Sequence, residues 1–420
     1  MNTIIEEVQQ FVEENDVKFI RLAFCDIFGI QRNISIFASE LPRAFKEGIS
    51  FDASAIRGFF KVNTTNLFLF PDASTIAILP WRPSLGRVVR MFCNVCYGDG
   101  SPFEGDFRQM LKKTCQEAFD MGYQVKAGVE SEFYLFKQDE EGNATKVPFD
   151  NAGYMDIAPM DKGENVRREI CLSLEEMGIE PVSSHHERGP GQNEVEFRYS
   201  DASNTADNFI TFKSVVRTIA EKNGLSASFL PKPLRNHEGN GLHINLSLYK
   251  DGENMFESFK EENSEARSFV AGVMRRIREI TLFLNPMENS YERFGRCEAP
   301  KYITWSEQNH SQLICIPNER GSYSRMELRS PDCMCNPYIA FHLLIQAGLE
   351  GIRDKLTLPV AVNADLNEQE IIKEEIVCLP ESFKEAKKYA LESEFLKQSL
   401  SEVVRNKLLD VINTVDEKER

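Results

Sequence analysis

The rhythm of apolar and polar positions changes near residue 100. The opening MNTIIEEVQQFVEEN spaces its apolar residues as an amphipathic helix does. Short alternating runs follow: VKFIRLAF, QRNISIF, NLFLF, STIAIL and GRVVRMFCNV, separated by DIFG, FPDAS and PWRPSLG. Period-two alternation bounded by Gly, Pro and Asp predicts strands joined by turns. A small sheet-rich domain is therefore expected over residues 1–100, with a boundary at the Gly-, Pro- and Asp-bearing YGDGSPFEGD, 97–106.

From 101 to 420 helices alternate with strands. FRQMLKKTCQEAFDMG and NVRREICLSLEEMG carry apolar residues at helical spacing and end at Gly, and the second leads into a strand-like IEPVSSHH. EARSFVAGVMRRIREITLFLN and NPYIAFHLLIQAGLEGIRDKL predict two longer helices. The stretch from LPESFKEAKKYALESEFLKQSL onward reads as charged amphipathic helices. No internal repeat or low-complexity tract interrupts the pattern. The expected class is α+β, a strand-built site covered by helices.

Composition narrows the partners. The 420 residues suit two domains, and 42% apolar with 27% charged residues is an ordinary globular balance. Forty-nine Lys and Arg against 65 Asp and Glu leave 49 − 65 = −16, a field that repels nucleic acid and anionic lipid. No apolar run approaches membrane-spanning length, and the N-terminus has no basic or apolar leader region. Ten Cys fall at irregular spacings, and the CNVC of Cys93 and Cys96 lacks a second pair to complete a zinc set. They are expected to be reduced thiols of a soluble, cytoplasmic protein.

The candidate chemistry lies in short strand-like stretches. In VKAGVESEFYLF, Glu130 and Glu132 share one strand face. In SSHHERGPGQNEVEFRY, Glu187 and Glu194 flank a loop bearing Gly and Pro. In GNGLHINLSLY, His243, Asn245 and Ser247 share a face, and in YSRMELRSPD so do Arg325, Glu327 and Arg329. Alone, each strand suits a solvated edge. Together, five carboxylates and one imidazole around a common cavity would repel one another without cations, and oxygen-rich sites with one imidazole suit Mg²⁺ or Mn²⁺. Arginines beside them would hold phosphate or carboxylate. The pattern points to phosphoryl chemistry, without the GxxxxGK[ST] of a P-loop.

These stretches, in their order, resemble the glutamine synthetase family. FDASAIRGF, ESEFYLF, HHERGPGQNEV, FLPKP, GNGLH, NSYERF, CEAPKYITWS and ELRSPDCMCNPYIAFHLLIQAGLEGI span nearly the whole chain. The resemblance implies an N-terminal β-grasp-like domain, a larger catalytic domain with a strand-built funnel, and a homo-oligomeric ring whose active sites are shared by neighbouring chains. It implies two or more divalent ions. One would be held by Glu132, Glu187 and Glu194 near the substrate, another by Glu130, His243 and Glu327 near the nucleotide phosphates. Arg293, Arg329 and Gly239 match the substrate-carboxylate site. Tyr199 and Ser247 match adenine and nucleotide contacts, and Arg325 a phosphate contact. Asp52, from the adjacent chain, and Glu298 match the pair that captures ammonium and takes its proton. The implied reaction joins glutamate to ammonia with ATP through a γ-glutamyl phosphate. Without the resemblance, Asp52 reads as a cap ahead of ASAI.

Several positions depart from the family pattern. QNHSQLICIP has His310 and Cys315 where two phosphate-contacting arginines are usual. Donors of that kind contribute about 2.7–4 kcal/mol each to the transition state. Glu238 replaces an Asn of the substrate loop, Asn245 a second His, and Cys297 stands in a shortened flap, RFGRCEAP. The DEKER tail lacks the usual ending. These changes leave open an organic amine or unusual acid as substrate, or a non-catalytic ring-forming role. All the expected metal ligands, by contrast, are present.

Overall fold

The computed structural model describes residues 2–56, 58–59, 66–82, 85–307, 309–364, 366 and 376–411. The DEKER tail, Arg57 of FDASAIRGF and Gln308 of QNHSQLICIP lie outside the described residues. The N-terminal part runs α1 (Asn2–Glu14), β1 (Val17–Cys25), β2 (Gln31–Phe37), α2 (Leu41–Glu47), β3 (Ile49–Asp52), β4 (Asn66–Pro71), β5 (Ala77–Ile78) and β6 (Arg87–Cys96). Its sheet has the order β2-β1-β6-β4-β3, with β5 also paired to β6. β1 and β6 are parallel and the other pairs antiparallel.

The STIAIL run is shorter as a strand than its alternation predicts. Asp72 accepts from the Ser74 N–H at 3.2 Å and caps a 3-10 turn at Ala73–Thr75. Only Ala77 and Ile78 remain to pair with β6. A short acidic side chain bonding its own backbone competes with the ladder.

The larger part begins with α3 (Phe107–Asp120), whose first turn is capped by Asp106 through the N–H groups of Arg108 and Gln109. β7 (Gln124–Gln138), β8 (Ala144–Pro148), α4 (Glu164–Glu176), β9 (Pro181–His186) and β10 (Gln192–Asp201) come next. They lead to α5 (Ala202–Lys222), β11 (Leu225–Ser228), β12 (Leu242–Lys250) and β13 (Glu253–Asn254). The chain continues through α6 (Glu265–Leu284), β14 (Trp305–Ser306), β15 (Ile314–Cys315), β16 (Met326–Leu328) and α7 (Pro337–Arg353). It closes with α8 (Phe383–Glu392), α9 (Glu394–Ser399) and α10 (Glu402–Val411).

The second sheet follows β14-β15-β16-β12-β7-β10-β9, with β8 and β11 also on β7 and β13 on β12. Alternation sorts its two faces. Val125, Ala127, Val129, Ser131 and Phe133 of β7 and Leu242, Ile244, Leu246 and Leu248 of β12 are buried in an apolar core that continues into the first sheet. Helices α3 and α5 pack against β7. The opposite face of the sheet carries the polar residues.

Helix α5 is the element that alternation does not reveal. Thr205, Asp207, Thr211 and Lys213 are buried along with its apolar residues, so no polar stripe marks it. Their groups are satisfied internally: Asp207 receives both Arg108 and the Tyr338 hydroxyl, and Lys213 donates to the Cys333 carbonyl. Helices α6 and α7 cross closely where glycines meet. A Cβ on Gly272 would lie 2.2 Å from the Ala347 carbonyl oxygen and 2.8 Å from Gly351 Cα.

Candidate active site

Cross-strand register gathers the predicted carboxylates. Glu194 of β10 stands opposite Glu132 of β7, and His243 of β12 opposite Glu130. Glu327 of β16 stands opposite Asn245 on one side and Cys315 on the other. Glu187 follows β9 directly. All six expected metal ligands line one cavity of about 410 Å³, together with Gly239, Arg293, Glu298, His310, Arg325 and Arg329.

Glu130 accepts from His243 Nδ1 at 3.0 Å and from Asn245 Nδ2 at 2.9 Å. The same imidazole nitrogen is 3.6 Å from Glu327. Glu132 accepts from the Gly241 N–H at 2.6 Å, and Glu187 lies 2.8 Å from His185 Nε2. Burial alone would raise Glu130, but His243, Asn245 and Arg325 outweigh it and hold its carboxyl low. Glu132 goes the other way, pushed up by burial and then by Glu187. Glu194 is raised well above its ordinary value by burial and by Glu132, Glu130 and Glu187. Two of the group thus oppose ionisation because they are buried and because carboxylates crowd around them, a cost that a divalent cation relieves. Two triads, Glu130–His243–Glu327 and His185–Glu187–Glu194, each bring one ligand atom apiece within 4.8 Å of one another. Mostly oxygen donors with imidazole fit Mg²⁺ or Mn²⁺.

The loop holding Glu187 is fastened from beneath. Buried Asp150 pairs with His186 Nε2 at 2.9 Å and accepts from the Gly191 N–H at 2.9 Å, so one carboxylate pins both ends of the loop. Arg293 is buried and donates to the carbonyls of Ser330 and Pro331. A Cβ on Gly239 would come 2.7 Å from Arg293 Cγ, so glycine there leaves that arginine its place.

A second cavity of about 360 Å³ adjoins the first. Tyr199, Ser247, Asn245, Lys126 and Tyr323 line it, and Arg325 borders both. Tyr199 meets Tyr323 edge to face at 6.2 Å. Arg325 donates to Glu319 at 2.7 Å and reaches Glu130 at 3.8 Å.

The chain carries matching domain signatures along almost its entire length. Residues 16–98 match the glutamine synthetase β-grasp domain, and residues 104–417 the glutamine synthetase catalytic domain. The chain belongs to the glutamine synthetase family. A glutamine synthetase of Clostridium saccharobutylicum is 44% identical over 406 residues, covering 95% of this chain and 92% of the relative. One from Methanosarcina mazei is 45% identical over 409 residues, covering 96% and 92%. A solved structure titled "GmaS/ADP complex-Conformation 1" superposes with a TM-score of 0.86 at 28% identity, over 96% of this chain and 94% of that one. The Plasmodium falciparum glutamine synthetase gives 0.85 at 22% identity over 97% and 95%, a likeness of fold. The expected β-grasp and strand-funnel architecture is that of the family.

One expected site residue lies elsewhere in its own chain. Asp52 ends β3, where its carboxylate accepts from the Ser54 N–H at 2.9 Å and Ser54 Oγ at 2.6 Å and caps the turn at Ala53–Ala55. It does not line the cavity of its own chain. The cavity also gathers residues that sequence reasoning passed over: Tyr154, His185, Arg188, Gln192, Lys232 and Arg296. Gln192 donates to Glu132, Gly239 and Asn240, and Arg188 donates to Glu298 at 2.5 Å. Arg188 and Gln192 lie within HERGPGQNE, one residue after Glu187 and two before Glu194, and that nearness was the available signal.

The ten cysteines are free thiols, with Cys297 the exposed one. Among the described residues no helix is long and apolar enough to cross a membrane.

Proposed function

We propose that the protein is an ATP-dependent ligase that joins glutamate to ammonia through γ-glutamyl phosphate. The observation that carries this reading is the junction of the two cavities at Arg325. A carboxylate- and arginine-lined chamber opens beside a pocket with aromatic walls, in a chain of this family. ATP would lie with its base beside Tyr199, its ribose near Ser247 and its phosphates toward Arg325. Mg²⁺ or Mn²⁺ would be held by Glu132, Glu187 and Glu194 and by Glu130, His243 and Glu327. Bound there, the ions neutralise charge on the transferring phosphoryl group.

The substrate's α-carboxylate would be held by Arg293 and Arg329 beside Gly239, leaving its γ-carboxylate to attack the γ-phosphorus. ADP leaves and the acyl phosphate forms. Glu298 and Asp52 of the partner subunit would attract ammonium and accept a proton from it, because ammonium itself has no lone pair. Ammonia then attacks the acyl carbon and expels phosphate. His310 would face the transferring group from the rim. This division of labour requires a homo-oligomeric ring with shared sites. Ten free thiols suit a reducing cytoplasm.

A second reading has an organic amine as acceptor. Glu238 favours it, since a second carboxylate on the wall of the cavity that Glu298 also lines gives a larger cationic amine a partner. Phosphate release measured with ATP, Mg²⁺, glutamate and a panel of amines tests both. Release with ammonia, with glutamine as product, is expected. Release only with another amine supports the second reading. No release with any amine overturns both and leaves a non-catalytic ring protein.

A further inference from the structure

Beside the same cavity three side chains of different ligand chemistry converge. Cys315 stands directly across from Glu327 in the antiparallel pairing of β15 and β16. His310 belongs to the turn just before β15. One imidazole nitrogen, Cys315 Sγ and one Glu327 oxygen all lie within 4.8 Å of one another. Cys315 and Glu327 are buried, and His310 is exposed.

Each atom belongs to a different ligand class. Hard ions such as Mg²⁺ take oxygen and gain little from sulfur, whereas imidazole and thiolate together select a borderline-soft ion. We propose that His310, Cys315 and Glu327 bind one divalent transition ion of the Zn²⁺ or Co²⁺ kind, with a fourth position open to the cavity. Ligands about 2.0–2.3 Å from a tetrahedral ion stand roughly 3.3–3.8 Å apart. The exposed His310 ring can close the remaining distance by rotation. As Cys315 coordinates, its S–H proton leaves to solvent and a sulfur–metal bond takes its place.

Three protein ligands and one open position make the arrangement of a working ion rather than a closed structural one. Its open position points into the chamber that His310 and Glu327 both line, where a phosphoryl oxygen or water can occupy it. Glu327 also belongs to the Glu130–His243 group. Its carboxylate would then be shared between two cations, and to that extent the site rests on the proposed role of Glu327 as a metal ligand.

Co²⁺ titrated into the full-length protein in excess Mg²⁺ should produce a sulfur-to-cobalt charge-transfer band that saturates at one equivalent per chain. Zn²⁺ should remove it. Cys315→Ser should abolish the band, and Cys297→Ser, which deletes the thiol that lines the cavity, should leave it. His310→Ala, at an exposed position that does not threaten folding, should weaken Co²⁺ binding by at least about tenfold. The assignment is overturned by the absence of a band, by a band that survives Cys315→Ser, or by one lost only in Cys297→Ser. Phosphate release in Mg²⁺ alone reports on the ligase reading, so either can fail without the other.

Discussion

Arg329 donates from Nη2 to Glu298 at 2.8 Å, tying the flap turn to the end of β16. The same guanidinium also bonds Glu327. In the proposed reaction Arg329 must meet the substrate carboxylate and Glu298 must meet ammonium. A substrate carboxylate arriving at Arg329 would compete with Glu298 and release its Oε2 to receive a cation, while Arg188 keeps Oε1. The two substrates would thereby be coupled in order, the acid before the amine.

Removing Glu298 separates those roles. Glu298→Ala should lower kcat with ammonia by about 10²–10⁴, the usual size of a positioned proton acceptor's contribution. Glutamate affinity, read by calorimetry, should hold or tighten because Arg329 loses a competing carboxylate. Weaker glutamate binding in the variant would refute the competition.

The α6–α7 crossing predicts a stability effect far from the chemistry. Gly272→Ala places a methyl against the Ala347 carbonyl and the Gly351 backbone, atoms that cannot rotate aside. The helices must separate, at a cost of about 1–3 kcal/mol. Denaturant melts should show the loss, while phosphate release per folded chain at low temperature should be unchanged. A variant as stable as the parent would mean that the crossing is looser than its geometry.

Much of the candidate site is legible because β7, β10, β12 and β16 obey period two. Glu130 and Glu132, or His243 and Ser247, fall on one face by spacing alone, and burial of Val129 and Ile244 fixes which face points inward. Pairing register is a different matter. That Glu194 meets Glu132, or that His243 meets Glu130, depends on strands far apart in the chain, and no local pattern encodes it. Helix α5 escapes for another reason: buried Asp207 and Lys213 look like surface residues until Arg108, Tyr338 and the Cys333 carbonyl are known to meet them. The nearness of Arg188 to Glu187 is legible, but its partner Glu298, 110 positions away, is not.

His342 predicts an acid-sensitive joint. Burial pushes its imidazole down from 6.5 to about 4, outweighing the Ser399 carbonyl that would raise it. The ring lies between Thr114 Oγ1, at 2.6 Å from Nδ1, and the Ser399 carbonyl, at 3.1 Å from Nε2. Because the folded value is depressed, the contribution is complete above pH 6.5 and is lost as pH falls toward 4. The gap corresponds to about 3 kcal/mol. Stability measured between pH 7 and 4 should therefore fall in the parent, and His342→Gln should flatten part of that fall. An unchanged profile in the variant would assign the acid loss to other groups.

Asp52 gives the sharpest test of a shared site. In its own chain it caps a turn at the end of β3 and does not line the cavity, so a role in capturing ammonium needs a second copy to bring it beside Glu298. Asp52→Ala and Glu298→Ala proteins should each be nearly inactive alone. Co-assembled from a denatured equimolar mixture, they should recover activity, because some sites then combine an intact Asp52 from one chain with an intact Glu298 from its neighbour. Random assembly makes that fraction one half times one half, about a quarter of the sites in a closed ring. The cap itself introduces a complication, since Asp52→Ala also removes the bonds to Ser54. Asp52→Asn keeps an oxygen acceptor for the Ser54 N–H but not the charge, and should behave like the alanine variant in activity while retaining parental stability. Recovery near a quarter with either variant supports the shared site. Rings that assemble from the mixture yet stay inactive would place Asp52 back in its structural role.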